Sequence, residues 1–317
     1  MPTTRSLYIY CLSAFFSCLL VVTAAPCSDS IVVDAEQQYR YAEQLNTEGQ
    51  YRRAAEEYDR FTFFFPQHPQ RRMARFKAAT AFFKAGDGET ALRRFNELTL
   101  YAAVDDISIE SFFMMTECHL LFKAHGLAIL QMHNVIQLSD RVDVRDRALA
   151  RMGWIHIDQM EWDSARSAFA RMTAAAQHGY QMERLDDALE QASRLPCKNP
   201  TLAGTFSVIP GAGQLYVGRY EDALLAFLVN GALIWASYES FDNDLNALGG
   251  LLTFVGLGFY ASNIYGAVSS AHKYNLRQRQ HYADQLRQNY LDGSFPPDER
   301  NQGHSGDRFV LAFRIPF

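Results

Sequence analysis

The chain has 317 residues, 48% hydrophobic and 21% charged, with a formal net charge of −5. That is a globular composition and the length allows two domains, while the acid excess offers no basic stripe of the kind nucleic-acid binding requires. Polar helical sequence runs to about Pro200, and two apolar stretches follow it.

Residues 1–24 read as a secretory signal peptide. Arg5 gives the positive start, Leu7 to Val22 the apolar region, and Val22-Thr23-Ala24 the small-residue cleavage site. The alternative is an uncleaved anchor, since the run approaches the ~20 residues that cross a bilayer. Either reading predicts an exported chain. Cys27 invites lipidation, but Pro26 stands where that site needs a small residue. Cys11 and Cys18 lie in the signal. The remaining Cys27, Cys118 and Cys197 have no metal-like spacing, and either a Cys27–Cys197 disulfide or three separate thiols is compatible with them.

From residue 35 the sequence repeats. Ala54, Ala91, Ala128 and Ala165 stand 37 residues apart. Tyr58, Phe95, Met132 and Phe169 follow four residues later, and Phe61, Leu98, Val135 and Met172 three beyond those. Small residues (Ala42, Ala79, Thr116, Gly153) precede each alanine by twelve, and Leu45, Phe82, His119 and His156 lie three beyond these. Small residues let two helices of a hairpin approach closely, and large apolar ones at helical spacing fill the space to the next hairpin. Gly49 and Gly86 sit where the chain must reverse.

On Gly49-Gln50-Tyr51, Ala54, Tyr58 and Pro66, then Gly86, Ala91 and Phe95, then Gly153, Trp162, Ala165 and Phe169, the chain resembles the tetratricopeptide repeat family. The third repeat has Lys123 at its turn and is found by register alone. The period exceeds the family's 34 residues by three. The resemblance implies an all-α hairpin solenoid over residues 35–195, closed by a capping helix at 181–195. It also implies a partner-binding groove lined by the first helices of the hairpins. By register the groove residues are Tyr39, Glu43, Asn46, Phe76, Thr80, Phe83, Phe113, Glu117, Leu121, Trp154 and Asp158. That set lacks a Lys/Arg clamp and suits an apolar or aromatic segment of a protein or peptide. The competing reading is that these aromatics pack inside a short stack.

Residues 196–272 form an apolar module. Pro210-Gly211-Ala212-Gly213-Gln214-Leu215-Tyr216-Val217-Gly218 precedes Ala223 to Tyr238, an acidic break (Glu239, Asp242, Asp244) and Leu245 to Val268, which together read as a membrane-associated helical hairpin. The string is similar to one found before helical hairpins in small bacterial membrane modules and is read as a turn device through Pro210, Gly211, Gly213, Gln214, Tyr216 and Gly218. Neither a preceding strand nor a following Lys-Ser/Thr supports nucleotide binding, and no cofactor is expected. Gly258, Ser262, Gly266 and Ser270 recur every four residues as a ridge for close helix packing. A polar helix at 273–291 and a 292–317 linker and tail, with Phe309, Leu311, Phe313, Ile315 and Phe317 alternating as in a strand, complete the chain.

No metal-ligand or nucleophile motif occurs, and the nine histidines are scattered. The expectation is a non-enzymatic bacterial cell-envelope adaptor on the periplasmic face of the inner or outer membrane. Its repeats hold protein and its hairpin meets lipid or a membrane complex. The alternative is a small channel or insertion component, homo-oligomeric through the Gly258–Ser270 ridge. One feature cuts against ordinary inner-membrane insertion: Lys273, Arg277 and Arg279 would lie outside, inverting the usual charge bias.

Overall fold

The structure is a computed structural model that describes residues 34–100 and 105–294, with side chains through residue 290. The expected signal segment, Cys27 and the alternating tail lie outside the described residues. Every regular element among those described is an α-helix, as expected. They are α1 (Ala35–Thr47), α2 (Tyr51–Phe64), α3 (Arg71–Lys84), α4 (Gly88–Leu100), α5 (Asp106–Leu121), α6 (His125–Leu138), α7 (Val142–Asp158), α8 (Trp162–Ala170), α9 (Ala174–Gly179), α10 (Met182–Ser193), α11 (Pro200–Phe206), α12 (Ala212–Val217), α13 (Tyr220–Asp242) and α14 (Asn246–Ser294). The chain divides into two compact units between Ala85 and Gly86, inside the second hairpin.

In the first unit α2 packs on both α1 and α3. Ala42, Ala54, Ala55, Ala74, Ala78 and Ala81 are fully buried, so the backbones approach closely and Tyr58 and Phe61 fill what remains. Helix α2 stops at Phe64 because Phe65 precedes Pro66, and the proline ring disfavours helical backbone in the residue before it.

In the second unit, consecutive helices from α4 to α8 pack on one another. The register read from the alanines holds: Ala91, Ala128, Ala165, Phe95, Met132, Phe169, Leu98, Val135 and Met172 are all buried. The second helices of the four hairpins begin at residues 51, 88, 125 and 162, the same 37-residue step. Each hairpin turns through one residue with positive φ: Gly49 (+78°), Gly86 (+82°), Lys123 (+55°) and Met160 (+59°). The third and fourth turns therefore keep the left-handed backbone after losing the glycine, a conformation that costs a side-chain-bearing residue roughly 1 kcal/mol. Gly153 is small for another reason: a Cβ there would overlap the Phe169 ring.

Helix α14 departs from expectation. No boundary separates an apolar module ending near residue 272 from a polar helix starting at 273. One helix of 49 residues runs through both, about 73 Å at 1.5 Å per residue. No Gly or Pro occurs between Gly266 and Tyr290, and Arg, Gln, Ala and Leu there are good helix formers.

Replacing Lys123 by Gly should raise the melting temperature of the detergent-solubilised chain by about 2 °C, and Gly86→Ala should lower it by a similar amount. Gly153→Ala should destabilise more, by about 1–3 kcal/mol, because Phe169 must move whereas a Cβ at Gly86 meets nothing. Circular dichroism melts of the three variants check the ordering.

Candidate functional site

The residues expected to line a groove turn out to be engaged by their own chain. In the first unit Tyr39 is buried, edge-on to Phe61 at 5.3 Å, with Lys77 Nζ 5.2 Å above its ring. Glu43 accepts from Tyr58 Oη (2.6 Å) and from Lys77 Nζ (2.5 Å). Burial first, then the Glu43 carboxylate, raise the Tyr58 pKa well above that of a free phenol. Phe76 and Thr80 are buried, with Thr80 Oγ1 donating to the Phe76 carbonyl at 3.0 Å, while Asn46 and Phe83 are half-buried.

The second unit repeats the pattern with arginines. Arg147 lies 3.6 Å from the Phe113 ring centre and donates from its two terminal guanidinium nitrogens to the Glu110 carboxylate, each at 2.7 Å. Arg151 grips Glu117 through two bonds of 2.9 and 2.7 Å. Trp154 is buried against Phe169, and Asp158 pairs with Arg287 of α14. Of the eleven positions only Leu121 is exposed, at 53%. Glu43, Phe113 and Glu117 therefore tie successive hairpins together while Tyr39, Phe76 and Trp154 pack inside the stack, as the internal-packing reading expects. Sequence reading missed Arg147 and Arg151. Their signal was spacing, since they stand four apart on one face of α7, 37 and 34 residues after their acids.

Asp158 meets Arg287 because the polar half of α14 returns to the end of the stack. Tyr282, Leu286 and Tyr290 share one helical face. Tyr282 stands edge-on to Trp162 at 6.3 Å and donates to the Ala188 carbonyl (2.8 Å), Leu286 is buried in the core that holds Leu185 and Leu189, and Tyr290 donates to the Arg184 carbonyl (3.1 Å). The expected capping helix is α10, and α14 packs against it.

The apolar module is more than a hairpin. Asn275 holds the backbone of Lys198 at both N–H and carbonyl (2.7 and 2.8 Å), and Tyr260 Oη donates to the Val208 carbonyl at 2.8 Å. Between those contacts the chain descends alongside α14 by fifteen residues, about 22 Å. It reverses at Pro210-Gly211 and climbs back as α12 to Gly218, beside Ser270. Gly211 has φ +88°, and a Cβ there would strike the Ala223 carbonyl; a Cβ on Gly213 would overlap Ser207 and the Ala203 carbonyl. Gly218 has φ +85°.

The reversal frees carbonyls at the end of α11, and polar side chains in otherwise apolar surroundings answer them. Asn263 Nδ2 donates to the Ser207 carbonyl (3.3 Å), Tyr260 to Val208, and buried Gln214 Nε2 donates to both the Asn263 carbonyl (3.0 Å) and Oδ1 (2.7 Å). Tyr216 Oη accepts from the Asn199 N–H at 3.1 Å. The string is thus a turn, as read, and also a docking device onto α14.

The Gly258–Ser270 ridge is split. A Cβ on Gly266 would lie 3.9 Å from the Gln214 amide and Ser270 Oγ accepts from Arg219 at 2.8 Å, but Gly258 has open space around it and Ser262 is exposed. Close approach between α13 and α14 is made by Gly249 under Phe241 and Gly256 beside Leu233.

Among the described residues no three metal-ligating side chains cluster. Burial pushes the Cys118 thiol up to about 12 and lowers the pKa of His119, so both are packing groups; Cys197 is exposed. No family model matches the chain, and no curated protein matches it at a significant level. The repeat assignment therefore rests on register and geometry.

Gln214→Ala and Asn263→Ala should each destabilise the module by about 1–3 kcal/mol, because each leaves a buried polar partner unmet. The double variant should lose clearly less than the sum of the two, since the residues share one network. Thermal unfolding of the full chain in detergent measures the coupling.

Proposed function

We propose that the chain is a non-enzymatic, membrane-tethered adaptor of a bacterial cell envelope, with tetratricopeptide-like hairpins held on the face of a bilayer. The observation that carries this is the continuity of α14. Its apolar half pairs with α13, both helices being long and apolar enough to cross a membrane, and one face of its polar half packs against the end of the repeat stack. Outward-facing Leu225, Leu228, Trp235, Leu251, Phe254 and Tyr265 are all exposed, as lipid-facing side chains would be. A reversal of backbone within the apolar depth is tolerable because its carbonyls are answered from within the protein.

With Glu43, Glu117 and Asp158 engaged, the surface left for a protein partner includes Leu121, Leu127 and Leu130, which are exposed around α6. The channel reading retains one support, the open space at Gly258. No Lys, Arg, Asp or Glu lines residues 245–268, which weighs against an ion path.

Cell fractionation followed by alkaline carbonate extraction tests the tether: the chain should stay with membranes, and recovery in the soluble fraction would refute it. The adaptor half is tested by cross-linking in cells. Leu127→Glu with Leu130→Glu should reduce cross-linked partners several-fold while leaving the membrane fraction unchanged; an unchanged cross-linking pattern would remove that surface from the account.

A further inference from the structure

A cavity of about 320 Å³ lies where the apolar module meets the polar half of α14, between the α12–α13 corner and the helix. Gly218, Arg219, Ser270, Tyr274, Arg277 and Gln278 line it. Its level along the module is well defined. Helix α13 begins two residues after Gly218, and the apolar run of α14 ends just before Ser270. If the hairpin enters a bilayer, which is the reading on which this inference rests, the cavity lies in the headgroup layer.

Charge at that level is one-sided. Lys198, Arg219, Lys273, Arg277 and Arg279 stand against Glu221 and Asp222, whereas no Lys or Arg occurs from Tyr220 to His272 and the far turn carries Glu239, Asp242 and Asp244. Arg219 is held by Asp222 and Ser270, which fixes its guanidinium at the rim. Arg277 forms no ion pair among the described residues. Lys198 likewise has no carboxylate partner; its ammonium sits over the Tyr216 and Tyr274 rings at 4.9 and 5.8 Å, one of which is a wall of the cavity. Two guanidinium groups, a phenol, a hydroxyl and a carboxamide around one small volume are the donor set for a phosphate oxyanion. Exposed Tyr220 and Leu224 run down α13 from the same corner, giving acyl chains an apolar surface below a bound headgroup.

We infer that this cavity binds the headgroup phosphate of an anionic phospholipid in the leaflet facing the repeats. The test uses the full chain purified in a non-ionic detergent. Flotation with vesicles of phosphatidylcholine, and of phosphatidylcholine mixed with phosphatidylglycerol, first reports insertion. Thermal stability is then followed during titration with phosphatidylglycerol, with phosphatidylcholine, and with inorganic phosphate at matched concentration. The expected result is flotation with both vesicle types and a melting temperature raised by phosphatidylglycerol alone. Arg277→Gln should weaken that response about tenfold, the loss of one charge-assisted hydrogen bond, while Arg279→Gln, outside the cavity, leaves it intact. Flotation with no phosphatidylglycerol preference in the melting temperature, or an unaltered response in Arg277→Gln, overturns the headgroup site and leaves the membrane reading standing. Equal stabilisation by inorganic phosphate overturns the lipid assignment. Failure to float with any vesicle overturns the membrane reading and the site with it.

Discussion

A single helix whose first half carries apolar side chains outward and whose second half is polar must meet two different sets of neighbours along one rod, and α14 does so by changing what its faces touch. Over its first half Gly249, Gly256, Tyr260, Asn263 and Ala267 are among the residues that meet α13 and the α11–α12 reversal, and large apolar side chains such as Leu251, Phe254 and Tyr265 point outward. Over its second half the order inverts. Tyr282, Leu286 and Tyr290 point inward to the stack while Arg and Gln face solvent. Because the backbone hydrogen-bond ladder is unbroken across the change, the orientation of the last hairpin is fixed relative to the apolar module without a linker.

That constraint explains why polar residues occur deep in the module. A chain reversing at Pro210-Gly211 loses helix hydrogen bonds where little else could replace them, and an unmet buried carbonyl costs on the order of 1–3 kcal/mol. Tyr260 and Asn263 are spaced to answer those groups, Gln214 holds Asn263 in place, and Gly213 lets α12 lie flush enough for Gln214 to reach. The same economy operates in the repeats. Glu43 with Lys77, Glu117 with Arg151, and Glu110 with Arg147 join successive hairpins by partly buried ion pairs. Their direct contribution to stability is modest, about 1 kcal/mol or less where solvent reaches them, but they fix the register in which the apolar faces meet.

The repeat architecture was legible because close packing leaves a strict record: alanines, ring residues and small residues recur at one period, and the third hairpin is recovered even with Lys123 in the left-handed turn. The glycines at 211, 213 and 218 were legible as a turn for the same reason. What stayed hidden involved partners distant in sequence. Asp158 reads as a groove acid until Arg287, 129 residues away, is placed on it. The join at residue 272 reads as a boundary because composition changes there, yet composition reports the surroundings of a helix and not its continuity. Gly258 and Ser262 share a four-residue spacing with Gly266 and Ser270, but which of them meets a neighbour depends on where α11 and α12 end.

The continuity of α14 is tested most directly by a distance across the join. Gly258 and Leu276 are both exposed and eighteen residues apart, five full turns, which places them on one face about 27 Å apart along the axis. Spin labels on Gly258→Cys and Leu276→Cys, with Cys27 and Cys197 replaced by serine, should give one narrow distance distribution near that value in lipid-reconstituted full-length protein. A broad or markedly shorter distribution would mean that the helix breaks at the join, and that the last hairpin is hung from the apolar module rather than fixed to it.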